Sequence, residues 1–246
     1  MNDRPKHRSR REGLRRRYTI PVIGNLVCWI RNNVVTRPAL YFSYFRLRGK
    51  HLELAVNEST DIVMDGFGGS ANTFAHRAFQ SCQVKPVCIA HHLHVPAQII
   101  RGLDLGKPVL VYVRDPISAS ISGLSRYFTK YDEKTLYTAL RNRLRNYIVF
   151  YSAVLPHKDQ FVVAPFEEVI TDFGAIIRRV NEKFGTDFGV FEHTDENVNL
   201  VKANLARAKP GTVRLNDPVR LREILNSPEL EPLRDEAYKL HRAMLD

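Results

Sequence analysis

From residue 61 onward, short apolar runs alternate with longer segments of helical period, and this alternation restricts the fold more than any other feature of the chain. The runs at 61–67, 86–91 (Pro-Val-Cys-Ile-Ala-His), 108–114 (Pro-Val-Leu-Val-Tyr-Val-Arg) and 160–165 (Gln-Phe-Val-Val-Ala-Pro) read as strands. Helices are expected at about 70–82, after Pro96, from Asp115 and Pro116, and over about 133–155. In the last of these, Leu136, Leu140, Leu144, Tyr147, Ile148 and Tyr151 repeat with the roughly 3.6-residue period of an amphipathic face. A further helix at 171–184 stops at Gly185, and a final one covers about 229–245. Strands joined by helical crossovers pair in parallel, so the expected fold is α/β, a single parallel β-sheet flanked by helices. With 246 residues and 44% hydrophobic content, the chain has enough apolar surface for one domain of this kind.

The first strand leads into the most informative turn. Residues 61–77, Asp-Ile-Val-Met-Asp-Gly-Phe-Gly-Gly-Ser-Ala-Asn-Thr-Phe-Ala-His-Arg, read as a buried strand, a glycine-rich turn and the opening of a helix. Gly66, Gly68 and Gly69 permit φ > 0, and the N–H groups of Ser70 to Thr73 lie where the helix dipole favours an anion. A tight structural turn is the other reading of the same residues. The nucleotide triphosphatase signature is not met, because no Lys followed by Ser or Thr closes the turn. At the end of the third strand, Arg114 leaves the edge where open α/β sheets bind ligands, and Ser122 lies eight positions on, two helical turns away. A guanidinium and a hydroxyl so spaced can close on one phosphate.

These segments together resemble the sulfotransferases that use 3′-phosphoadenosine 5′-phosphosulfate (PAPS). The resemblance covers about residues 61–190. It includes Val162 to Val169, with Phe166, Glu167 and Glu168 similar to that family's Tyr-Glu-Asp, and Ile176 to Gly185, similar to its helix ending in Phe-Leu-Gly. It implies a P-loop NTPase-like three-layer sandwich and sulfuryl transfer from PAPS to a hydroxyl or amine acceptor, such as a carbohydrate or lipid. The product is PAP, and the in-line displacement needs no metal. By the same resemblance, Gly68, Gly69, Ser70, Ala71, Asn72, Thr73 and Phe74 cradle the 5′-phosphosulfate, while Arg114 and Ser122 hold the 3′-phosphate. Residues 186–217, rich in Asn, Asp, Lys, Arg, Pro and Gly, are expected as an irregular lid or surface loop. Within them Arg207, Lys209 and Arg214 are similar to the basic segment that the family folds over the 3′-phosphate.

The chain departs from that family at its reaction centre. Gly69 stands where the family has Lys or Arg, Ala71 and Asn72 replace its Gly and Thr, and Ala90 replaces the Lys of Lys-Thr-His-Leu-Pro. The Asn72 amide can still donate. Electrostatic stabilisation of a transferring group is typically worth several kcal/mol, so His91, His94 or Arg77 substitutes, or the chain is a weak or non-catalytic PAP-binding member. Residues 70–107 contain no Glu, which leaves the histidines to take the acceptor's proton. His92 is the expected base; His94 is the next candidate or shapes the acceptor pocket, and His91 completes the set. A phosphate-loop kinase is the other enzymatic reading, disfavoured by the missing Lys.

Charge and composition bound the rest. The formal net charge is +11, and residues 1–17 hold eight Lys or Arg against Asp3 and Glu12. This stretch is expected to be a disordered tail, either solvated or touching an anionic membrane or polyanion through residues 4–17, with no specific nucleic acid as partner. Residues 18–246 then form one domain. Residues 20–56, with the aromatic and basic run Leu40 to Arg48, are expected to pack on the sheet or line an acceptor cleft. The run Ile20 to Ile30 contains Pro21, Gly24 and Asn25, lacks a cleavage site and is too short to span a bilayer. Cys28, Cys82 and Cys88 read as buried thiols of a reducing compartment, and a soluble cytoplasmic protein is expected.

Overall fold

The structure, a computed structural model, describes residues 32–49, 52–124, 132–208 and 218–246; the basic tail, Cys28, Lys209 and Arg214 lie outside them. Four strands, β1 (Ile62–Gly66), β2 (Ile89–His91), β3 (Val109–Val113) and β4 (Val162–Pro165), form one parallel sheet in the order β2-β1-β3-β4. The helices are α1 (Pro38–Arg48), α2 (Asn72–Ser81), α3 (Pro96–Asp104), α4 (Pro116–Leu124), α5 (Glu133–Val154), α6 (Phe166–Thr171), α7 (Phe173–Phe184), α8 (Asp195–Ala208), α9 (Pro218–Leu225) and α10 (Glu231–Leu245). The α/β architecture with an all-parallel sheet is the one expected from the alternating pattern.

Every residue of β1 and β3 is buried, as central strands covered on both faces must be. Alternate side chains divide between two apolar layers. Val63, Val109, Val111 and Val113 pack with residues of α3, α4, α5, α9 and α10, whereas Ile62, Met64, Leu110, Tyr112 and Ala164 pack with α2, α7 and α8. The chain leaves β1 through α2 to reach β2, then crosses through α3 to β3 on the far side of β1. The helices that follow the neighbouring strands β1 and β3 therefore lie on opposite faces, and a crevice opens between the carboxyl ends of those strands.

Helix starts follow capping chemistry. Asp115 Oδ1 accepts from Ser118 N (2.7 Å), Asp132 Oδ1 from Thr135 N (2.8 Å) and Asp172 Oδ1 from Ala175 N (3.0 Å). Gly185, at φ 63, ends α7 in the left-handed conformation anticipated from the sequence. Helix α5 lies against β3 and ties its end down: Tyr147 Oη donates to Arg114 O (2.9 Å) and Tyr151 Oη to Tyr112 O (2.7 Å).

Some expectations are corrected. The segment anticipated as an irregular lid contains α8, because Val198, Val201 and Leu205 make a helical stripe that joins the apolar layer around α2. Thr194 Oγ1, accepting from Asn197 N (3.2 Å), helps to start it. Helix α9 was not anticipated, and β2 is half the length of the apolar run that announced it. Residues 38–48 are helical and contact α3, while residues 52–54 of the same segment contact the edge strand β2 as expected. Cys88 is exposed rather than buried, and Cys82 is half-buried. Among the described residues, no helix is long and apolar enough to cross a membrane.

Candidate functional site

The turn from β1 into α2 occupies one wall of the crevice, and its glycines have distinct reasons. A Cβ on Gly66 would sit 2.5 Å from Tyr112 O, so this glycine admits the close approach of β3. Gly69 alone of the three takes positive φ (+104), and a Cβ there would sit 2.4 Å from Ala119 O. Gly68 meets neither constraint. The following residue but one, Ala71, holds φ 64 as the N-cap of α2, a left-handed conformation that costs an L-residue about 1–2 kcal/mol. Among the described residues, the non-glycine positions with positive φ are Ala71, His92 and His94, all at this edge of the sheet. Strain of this kind persists only where the surroundings over-determine it, and it clusters at binding and catalytic sites.

Helix α2 has no side-chain cap, unlike α4, α5 and α7. Gly66 N donates to Asp65 Oδ1 (2.8 Å) and Ser70 N to Phe67 O (3.3 Å). Among the described residues, no protein acceptor serves the amides of Gly68, Gly69, Ala71, Asn72 and Thr73. Ser70 Oγ is fully buried and has no hydrogen-bond partner; the neighbouring Tyr151 hydroxyl donates to Tyr112 O instead. A buried hydroxyl left so costs about 1–3 kcal/mol. These donors suit an anion with several acceptor oxygens. The Asn72 side chain is partly committed within the turn, since Nδ2 gives one of its two hydrogens to Phe67 O (3.2 Å).

Two guanidinium groups brace the turn. Arg114 Nη1, from the end of β3, donates to Gly69 O (2.8 Å), and its guanidinium carbon lies 3.7 Å from the centre of the Phe166 ring. Arg143 of α5 donates to Gly68 O and to Ala119 O (3.1 Å) and stacks 4.1 Å from the centre of the Phe67 ring. Sequence reasoning missed Arg143. Its signal was a charged residue within the apolar stripe of α5, four positions before Tyr147.

The third wall is the histidine segment after β2. His94 Nδ1 lies 3.0 Å from Asp65 Oδ1 and 2.8 Å from Gly66 O, and its Cδ2 is close to Gly68. Asp65 is fully buried, and its Oδ2 also accepts from Leu93 N (2.9 Å) and His94 N (3.0 Å). Burial alone would push the Asp65 carboxyl up, but the His94 imidazole and the amides of Gly66 and His94 hold it below the ordinary carboxylate value. Burial alone would lower His94, but the Asp65 carboxylate outweighs it and raises the imidazole above its ordinary value. His76 is pushed down to about 3 by burial and by its neighbours His91 and His92, and His91 is lowered chiefly by burial. The expected base, His92, has both ring nitrogens engaged, with Nε2 3.1 Å from Thr73 Oγ1 and Nδ1 2.6 Å from His91 Nδ1. His94 Nε2 makes no protein hydrogen bond among the described residues. Asp65 was not singled out in the sequence.

The remaining expected site residues are scattered. Ser122 is half-buried on α4. Phe74 turns toward Phe191 and His193, and Arg207 is exposed in the last turn of α8. Glu168 pairs with Arg179, and Arg77 is exposed and donates to Gln80 Oε1 (3.0 Å). No protein-family model, curated protein or solved structure matches this chain.

Proposed function

We propose that this chain is a sulfuryl transferase that takes PAPS as donor and a hydroxyl or amine as acceptor. One observation carries the reading. The β1–α2 turn, with its unengaged amides, and the Arg114 guanidinium meet within one hydrogen bond (2.8 Å) at the crevice where the sheet reverses its direction of winding. The buried Ser70 hydroxyl without a partner supports a polyoxyanion at the same place. In this reading the amides of Gly68 to Thr73 and Ser70 Oγ hold the 5′ end of the donor, and Arg114 with Ser122 holds its 3′-phosphate. Bound there, the donor would supply a sulfuryl group on a phosphate leaving group; everything else falls to the chain.

Positive charge is needed near that group, and Gly69 cannot provide it. Arg143 borders Gly68 and takes the place of the absent lysines. His94 serves as the base through Nε2, since Nδ1 is fixed toward Asp65 and the carboxylate stabilises the imidazolium that forms. His92 would have to give up its Thr73 or His91 contact to do the same.

The test is calorimetry of the full chain with 3′,5′-adenosine bisphosphate and with ATP. The bisphosphate should bind more tightly, and Arg114→Ala should weaken it by about 2–5 kcal/mol while leaving the chain folded. Preference for ATP would favour a phosphate-loop kinase and overturn the proposal, as would an unchanged affinity in the variant.

A further inference from the structure

We propose that His76, His91 and His92 form a binding site for a divalent transition metal of the zinc class, with one coordination position left open. One ring nitrogen from each residue lies within 4.8 Å of the other two. The fold brings them there by means that need explaining. His91 ends β2, and the next residue in an extended strand would point to the opposite side. His92 instead adopts φ 59, and its ring comes back beside that of His91 with centroids 4.7 Å apart. His76 reaches in from the second turn of α2, its ring centre 3.8 Å from that of His91.

Packing of imidazoles alone leaves His76 unsatisfied and crowds the other two rings. His91 Nδ1 and His92 Nδ1 face each other at 2.6 Å, so they share a single proton at most. His76 is only 6% exposed, and its Nε2 has no hydrogen-bond partner. A metal would take a lone pair from each ring and resolve both features. Thr73 supplies the outer contact such sites use: its Oγ1, 3.1 Å from His92 Nε2, can accept that N–H and leave Nδ1 for the metal. Tetrahedral zinc, with Zn–N of about 2.0–2.1 Å, needs nitrogens about 3.3 Å apart. The His91–His92 pair would spread by about 0.7 Å from its 2.6 Å separation, a change within the reach of side-chain rotation.

The donor set selects the metal. Three imidazoles without a carboxylate ligand suit zinc, copper, nickel or cobalt and do not suit magnesium or calcium. Of the nearby charges, Asp65 and Glu53 favour a cation at His91, whereas Arg77 and His94 oppose it. Three protein ligands with an open fourth position is the pattern of reactive rather than purely structural zinc sites. The site is independent of the sulfuryl-transfer reading and departs from the metal-free displacement that the family resemblance implies.

The experiment titrates the full chain, freed of metal with a chelator, with Zn²⁺ in a calorimeter, and repeats it with Co²⁺ to read coordination from visible absorption. One Zn²⁺ per chain and the strong cobalt bands of four-coordination are expected, with no comparable heat from Mg²⁺. His76→Ala and His91→Ala should each weaken Zn²⁺ by about 100-fold or more, and Thr73→Val by about tenfold, while His193→Ala leaves it unchanged. Circular dichroism checks each fold; if the buried His76→Ala unfolds, the half-exposed His91→Ala decides. Absence of stoichiometric Zn²⁺ binding in the parent chain, affinity unchanged in folded His91→Ala, or equal loss in His193→Ala would each overturn the proposal.

Discussion

Gly69 and Gly68 are adjacent, yet adding one methyl group to each should have opposite consequences. At Gly69 the backbone stands at φ +104, where an L-residue is strained by about 1–3 kcal/mol. The new Cβ would also lie 2.4 Å from Ala119 O, a backbone atom held by α4 and by Arg143, so relief requires moving a helix or the turn. Overpacking of that kind adds about 1–3 kcal/mol, and Gly69→Ala should lose roughly 2–6 kcal/mol in total. For a chain of 246 residues this corresponds to a fall of about 4–24 °C in Tm. At Gly68 the nearest atoms to a Cβ are Arg143 Nη1 and His94 Cδ2, both at 3.6 Å, so Gly68→Ala should stay within about 0.5 kcal/mol of the parent. Urea unfolding followed by circular dichroism measures both. Equal midpoints for the two variants would refute the geometry assigned to the turn. The same clash would meet a lysine at position 69.

Arg143→Ala should reduce turnover by about 10²- to 10³-fold in single-turnover kinetics, because it removes the cation nearest Gly68; an unaltered rate would transfer that role elsewhere. His94→Ala should lower turnover by about 10²- to 10⁴-fold with bisphosphate affinity little changed, and a larger loss in His92→Ala than in His94→Ala would return the base to His92. Asp65→Ala leaves His94 Nδ1 and three amides without their acceptor and should cost about 3–5 kcal/mol in urea unfolding; a loss below about 1 kcal/mol would show that the pair is not structurally coupled.

What the sequence announced was what depends on local pattern. Runs such as Val109 to Val113 are apolar throughout because both faces of the strand are covered, and the position of Arg114 follows from where that run ends. Features that depend on two distant segments were not visible. Asp65 reads as a polar interruption in a strand, and it acquires a partner only because His94, at φ 55, turns back over β1. Arg143 is separated from Gly68 by 75 positions, and its place in the apolar stripe of α5 marks it as unusual without saying what it grips. Helix α8 was obscured because polar residues surround a stripe only one side chain wide, Val198, Val201 and Leu205. The expected β2 began early because Asp61 Oδ2 takes the amide of Cys88 (2.7 Å) and holds residues before Ile89 outside the ladder. Glycine identity alone could not separate the close approach at Gly66 from the unusual backbone at Gly69.

The stripe on α5 has a thermodynamic corollary. Arg143, Tyr147 and Tyr151, each four residues from the next, anchor in turn the Gly68 carbonyl, the Arg114 carbonyl and the Tyr112 carbonyl. A single helix thus fixes two walls of the crevice, the β1–α2 turn and the end of β3, to the buried layer beneath them, and their relative position is decided when the core forms. An anion arriving at the turn would meet donors that are already ordered, so association there should carry little of the entropy loss that accompanies loop folding. Its heat-capacity change should be small, scaling with the surface the ligand covers rather than with any segment that condenses around it.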